Sequence, residues 1–138
     1  MSECHRPWWP GSAPEGHWPL DLTDDVTIDN FVAAFRKLKY EICAGAHHEW
    51  RYEKIVIYAD RHGVPTHAAR MSLRGVWMSK LGQNVDISHE STELLDGPLY
   101  GTVVQVMKRH WTVRRLIAAV IVRFKTSIWV TRLINLIR

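Results

Sequence analysis

The chain has 138 residues, enough for one domain with its own core, and its 46% hydrophobic and 23% charged content excludes a disordered polymer. The net charge of +4 is concentrated at one end: residues 111–138 hold six basic and no acidic side chains, leaving 12 basic against 14 acidic residues in 1–110. That near-neutral body lacks the basic face a nucleic-acid partner requires, so none is expected.

Met1 to Leu22 sets Trp8, Trp9 and Trp18 among Pro7, Pro10, Pro14 and Pro19. So much proline forbids helix or central strand, and the stretch reads as irregular chain pinned by indole rings, or alternatively as an aromatic peptide groove. No apolar signal core opens the sequence. With only Cys4 and Cys43, free thiols in a reducing compartment, the cytoplasm, are expected.

Thr27 to Lys39 is the clearest helix. Thr27 caps it, Asp29 lies in its first turn, and Arg36, Lys37 and Lys39 lie in its last, all with the sign the helix dipole favours. Ile28, Phe31, Val32, Phe35 and Leu38 form one apolar stripe, which must cover a sheet. Between Tyr40 and Tyr52, Cys43, His47 and His48 invite a metal, but Glu49, the nearest fourth donor, adjoins His48 and is poorly placed to converge with it. The stretch reads as a polar loop with a half-buried thiol, and no metal or other cofactor is expected.

Glu53 to Gly82 reads as three strands: Lys54 to Ala59, closed by the turn Asp60 to Gly63, then Thr66 to Leu73 and Val76 to Leu81. A tight loop of Arg74 and Gly75 would pair Leu73 with Val76 and set His67 opposite Gly82, beside Gln83 and Asn84. There a side-chain amide fixes the ring's tautomer, which is half of an acid/base arrangement; otherwise His67 is an ordinary strand-end histidine.

Asp86 to His89 leads into Ser91-Thr-Glu-Leu, a helix start with Glu93 in its first turn. Gly97-Pro98 ends that helix and Pro98 opens another, running to about His110 with Leu99, Val103, Val106 and Met107 inward, against the preference of Gly101 and Val103-Val104. In the tail the longest apolar run, Leu116 to Val122, is seven residues against the roughly 20 that span a bilayer. Residues 111–138 therefore read as a basic helical appendage to the 1–110 domain. It either lies on an anionic membrane surface or a partner's groove, or has no selected role.

Trp8-Trp-Pro10, His17-Trp-Pro19, Glu53-Lys-Ile-Val-Ile-Tyr-Ala59, Pro65-Thr-His-Ala-Ala-Arg70, Ser79-Lys-Leu-Gly82, Asp86-Ile…His89 and Gly97…Tyr100-Gly101 resemble, in order and spacing, an uncharacterised bacterial family of unknown function. The similarity runs from about Trp8 to Arg109. That family in turn resembles the papain-like cysteine hydrolases in their wider, NlpC-type form. The resemblance implies an α+β fold, a small antiparallel sheet against one or two helices. It also implies a thiolate that attacks a carbonyl while an imidazole shuttles the proton.

By position, the resemblance makes His67 the base and Asn84 or Asp86 its orienter. The relatives carry a Cys-x-Ala-Trp-Ala segment upstream of the tryptophan–proline block, and this sequence starts after that point. Cys4 is a catalytic candidate on the resemblance alone: it lies only four residues before Trp8, beside prolines that cannot enter a helix interior, so the nucleophile's role does not carry over to it by position, and Cys43, after the helix, is in the wrong place. Two functions follow: a binding or interaction module for a protein or peptide partner that lacks the catalytic cysteine, or a cysteine-dependent hydrolase of amide or acyl bonds using His67.

Overall fold

The computed structural model describes residues 10, 18–81 and 85–112, with 80, 81, 85 and 86 described by backbone alone. In chain order these form α1 (Ile28–Lys37), β1 (Glu41–Ile42), β2 (Tyr52–Ala59), β3 (Pro65–Met71), β4 (Trp77–Leu81), β5 (Val85–His89), a 3-10 turn (Thr92–Leu95) and β6 (Thr102–His110). The strands make one open six-stranded antiparallel sheet in the order β1-β6-β2-β3-β4-β5. The fold is α+β, with one α-helix among the described residues.

The helix starts where its signals put it but ends at Lys37, short of the expected Lys39: Leu38 is its C-cap and exposed, and Lys39 takes φ +69° outside it. Thr27 Oγ1 accepts from the Asn30 amide at 3.3 Å, Asp29 lies in the first turn, and Arg36 and Lys37 lie in the last. Its buried side chains, Phe31, Val32, Ala34 and Phe35, cover Ile55, Ile57 and Met107, and Trp18 seals the edge with its ring 5.3 Å from that of Phe31. Burying either phenylalanine contributes about 1.5–3 kcal/mol. The opposite face carries a second core of Val56, Tyr58, Ala69, Met71 and Trp77, against which Ala46, Leu95, Val103 and Val106 pack.

Two expectations are corrected here. Residues 102–110 are β6, paired with both β1 and β2, rather than a helix opened by Pro98. Its register against β2 shifts between Ile57 and Tyr58, so that Val103 faces Tyr58 and Val106 faces Val56. The bulge puts two residues three apart on one face, imitating helical spacing in what is a strand. The Ser91 start produces only the four-residue 3-10 turn Thr92–Leu95, and Asp86 to His89 belongs to β5.

The second correction concerns the β3–β4 hairpin. Its loop has three residues, Leu73-Arg74-Gly75, since the Ser72 amide bonds the Val76 carbonyl at 2.8 Å and the Gly75 amide bonds the Ser72 carbonyl at 3.0 Å. Gly75 takes φ +79°, the left-handed residue that closes such a loop. Met71 therefore pairs with Trp77, one residue away from the pairing a two-residue loop gives. A slip of one exchanges the faces, so Ser79 rather than Lys80 joins the face of Ala69.

The Cys43–His48 stretch gathers no ligand set: Cys43 Sγ lies 3.9 Å from the Gly45 carbonyl, and His48 Nε2 lies 3.3 Å from the Leu73 carbonyl. No group of three His, Cys, Asp or Glu side chains among the described residues is arranged to hold a metal ion. No helix among them is long and apolar enough to cross a membrane.

Candidate functional site

Alternation along β3 puts His67, Ala69 and Met71 on the face away from α1, and the ladder sets His67 opposite Tyr58. Its ring stands 5.8 Å from the Tyr58 ring and 4.8 Å from the Tyr100 ring. Nε2 of His67 is buried and has no hydrogen-bond partner among the described residues. Desolvation, and secondarily the charge of His89, hold its pKa below the ordinary histidine value, so the imidazole is neutral at neutral pH.

Ser79 and His89 occupy the same face on β4 and β5. The serine hydroxyl donates to His89 Nε2 at 2.9 Å, and His89 Nδ1 donates to the Ser91 carbonyl at 2.6 Å. A carbonyl only accepts, so this fixes the neutral tautomer with the proton on Nδ1. Both residues are deeply buried, at 3% and 7% exposure. They escaped the sequence reading because the assumed two-residue hairpin turned Ser79 to the other face. A left-handed glycine closes a two-residue and a three-residue loop alike, so Gly75 carries no signal that separates the two registers.

Residues 91–101 cover this polar group. Tyr58 Oη donates to the Thr92 carbonyl at 2.9 Å, and Thr66 Oγ1 donates to the Tyr100 carbonyl. Burial pushes the Tyr58 hydroxyl above its usual pKa, aided by the charges of Asp96 and Glu93. Beyond Tyr100 the chain doubles back through the Gly97–Gly101 bridge. Gly101, at φ +80°, approaches so closely that a Cβ there would lie 1.8 Å from the Ala59 carbonyl oxygen.

That close approach walls a cleft of 540 Å3 between the 59–62 turn and Gly97, Pro98, Gly101 and Thr102. Asp60 Oδ1 accepts from the amides of His62 at 2.8 Å and Val64 at 3.0 Å, which hold its carboxyl below the usual range, the Val64 amide foremost. Arg61 Nε donates to His62 Nε2 at 3.0 Å.

Of the residues assigned by resemblance, His67 stands at this end of the sheet. Cys4 and Asn84 lie outside the described residues. Asp86 stands opposite Lys80 in the β4–β5 ladder. Cys43 follows β1, and its amide bonds the Val106 carbonyl at 3.1 Å. From β1 to β3 are three strand steps, about 14 Å, which removes Cys43 from any proton transfer with His67.

No curated protein and no solved structure matches the chain. A model of the domain of unknown function DUF7689 matches residues 1–108, and the chain belongs to that family.

Proposed function

We propose that this domain is a binding module on a papain-like sheet, taking a short extended peptide through an acidic group in the cleft between the 59–62 and 97–102 turns. The observation that carries this reading is the cleft itself. Its 540 Å3 lies within the roughly 300–1,000 Å3 that small ligands occupy. Asp60 on its wall is already engaged by two backbone amides, while Arg61 forms no salt bridge among the described residues. A guanidinium in that position suits a carboxylate bidentately. Titrating the isotope-labelled protein with acidic peptides and their basic counterparts tests this. Amide shifts at Arg61, His62, Gly97 and Thr102 with acidic peptides alone, lost in Arg61→Glu, are expected. Shifts elsewhere, or equal shifts with basic peptides, refute it.

A second reading is favoured by the neutral, half-buried imidazole of His67. It is a papain-like hydrolase of amide or acyl bonds with His67 as base, Cys4 as nucleophile and Asn84 as orienter, since Asp86 pairs with Lys80 and so takes the register position of the other face. The thiolate must then sit about 3–4 Å from its base. Fast labelling of Cys4 by a thiol-reactive acyl probe, abolished in His67→Ala, selects the hydrolase. Labelling no faster than free cysteine selects the binding module.

The same proposal puts the protein in the cytoplasm with a protein or peptide partner, and makes residues 111–138 a separate basic unit at an anionic membrane surface. Vesicles with and without anionic lipid test the latter, and cooperative unfolding after deletion of residues 112–138 tests the division.

A further inference from the structure

Residues 91–101 run as a strap across the far face of the sheet, held at three kinds of point. Near its start, the Ser91 and Thr92 carbonyls accept from His89 Nδ1 at 2.6 Å and Tyr58 Oη at 2.9 Å. In its middle, Leu95 packs on the core of Val56, Tyr58, Ala69, Met71 and Trp77. At its end, the Tyr100 carbonyl accepts from Thr66 Oγ1 and the Tyr100 ring lies 4.8 Å from that of His67. The last contact differs from the others, because it closes over an imidazole nitrogen that is buried without a hydrogen-bond partner among the described residues.

We infer that residues 91–101 are an acid-released strap with His67 as its trigger: a proton on that imidazole unseats Tyr100 and remodels the cleft walled by Gly97, Pro98 and Gly101. The functional meaning of the release rests on the cleft's being the binding site; the release itself does not. A neutral imidazole tolerates one unpaired acceptor nitrogen, whereas an imidazolium presents two N–H donors and a charge that must reach water or an anion.

Among the described residues, the groups around it supply no anion, and Nε2 is closed off from water. Tyr58 faces it from β2, Tyr100 from the strap and His89 from β5. His89 adds repulsion whenever it is charged. The strap's carboxylates do not act on His67: the Ser91 side chain foremost holds Glu93 below its usual range, and the charges of Asp96 and Glu93 bear on Tyr58. The attraction of a cation for the two tyrosine rings offsets part of the cost, and the buried donor outweighs it. Burial already lowers the proton affinity of this ring, in keeping with strain on protonation.

The test uses the full chain without any peptide, following proton cross-relaxation between the rings of His67 and Tyr100 from neutral pH down to one unit below the midpoint that the His67 ring shifts themselves show. Cross-relaxation between His67 and Tyr58, within the sheet, is the internal control. The expected result is a fall of about tenfold in the Tyr100 signal, the population change that one unit past a titration midpoint brings, with the Tyr58 signal kept. In His67→Phe the ring contact with Tyr100 should persist across the range. A wild-type Tyr100 signal that survives one unit below the His67 midpoint, or the loss of both signals together, overturns the inference.

If His67→Phe does not fold, the wild type decides alone. The ring shifts of His67 and Tyr100 must then move with one midpoint, and separate midpoints refute the trigger. A cleft that proves to bind no peptide leaves these outcomes untouched, so the two readings fail separately.

Discussion

Ser79 and His89 meet across the β4–β5 ladder at 2.9 Å, and through Ser91 the same imidazole ties two strands to the segment that covers them. Replacing Ser79 by alanine removes the hydroxyl that donates to Nε2 and leaves a buried acceptor bare. We expect Ser79→Ala to lower stability by about 1–3 kcal/mol in urea titration. A midpoint equal to the wild type's would mean that the pair contributes nothing.

Stability should fall on acidification through His67. Its folded pKa is depressed by desolvation, so the folded state favours the neutral ring and the unfolded chain takes up the proton first. The contribution is whole above the unfolded value of about 6.5, declines as pH drops through it, and levels off below the lower folded value. Thermal unfolding at intervals between about pH 8 and 5 should show a steeper loss for the wild type than for His67→Phe. Parallel curves would remove His67 from the account.

Glu53, 1% exposed, receives Arg109 Nε at 2.6 Å and Arg70 at 3.6 Å, while Arg109 stands 4.1 Å over the Tyr40 ring. Glu53→Ala leaves Arg109 largely buried without its carboxylate, and about 3–5 kcal/mol of destabilisation is expected. Glu53→Gln, which keeps acceptor and volume, should cost less. The comparison in denaturant separates lost charge from lost packing.

Two glycines with nearly equal dihedrals should respond differently to alanine. At Gly63, φ +78°, a Cβ meets open space, and the substitution should cost about 1 kcal/mol. At Gly101, φ +80°, the Cβ would lie 1.8 Å from a backbone oxygen that cannot move without the β2–β3 turn, so a loss well above about 3 kcal/mol, or failure to fold, is expected. Equal effects would show that conformational strain dominates and the close approach does not.

The helix was readable because its cap, its charge order and its apolar stripe agree, and β2 and β3 because β-branched runs end in turn residues. The sequence misled where backbone irregularity changes the phase of the pattern. The bulge opposite Tyr58 brings Val103 and Val106 to one face at a helix-like interval, and the third residue of the Leu73–Gly75 loop exchanges the faces of β4. His67 was legible only as a residue near a strand's start. Ser79 and His89 were not, because their meeting depends on a register fixed by the third residue of that loop. The covering segment was invisible for another reason: it is held by side chains reaching backbone carbonyls, which leave no periodic trace.

Among the described residues the last strand, β6, lies inside the sheet, between β1 and β2. On the ribosome, β1 and β2 therefore emerge with a strand-wide gap between them, and Ile55 and Met107, neighbours in one core, are separated by half a domain of later synthesis. Until residues 102–110 leave the exit tunnel, β2 has one unpaired edge and α1 has an incomplete floor. The nascent chain thus stays open to chaperones, or to pairing with another copy, for most of its translation, and the sheet closes in one late, non-local event.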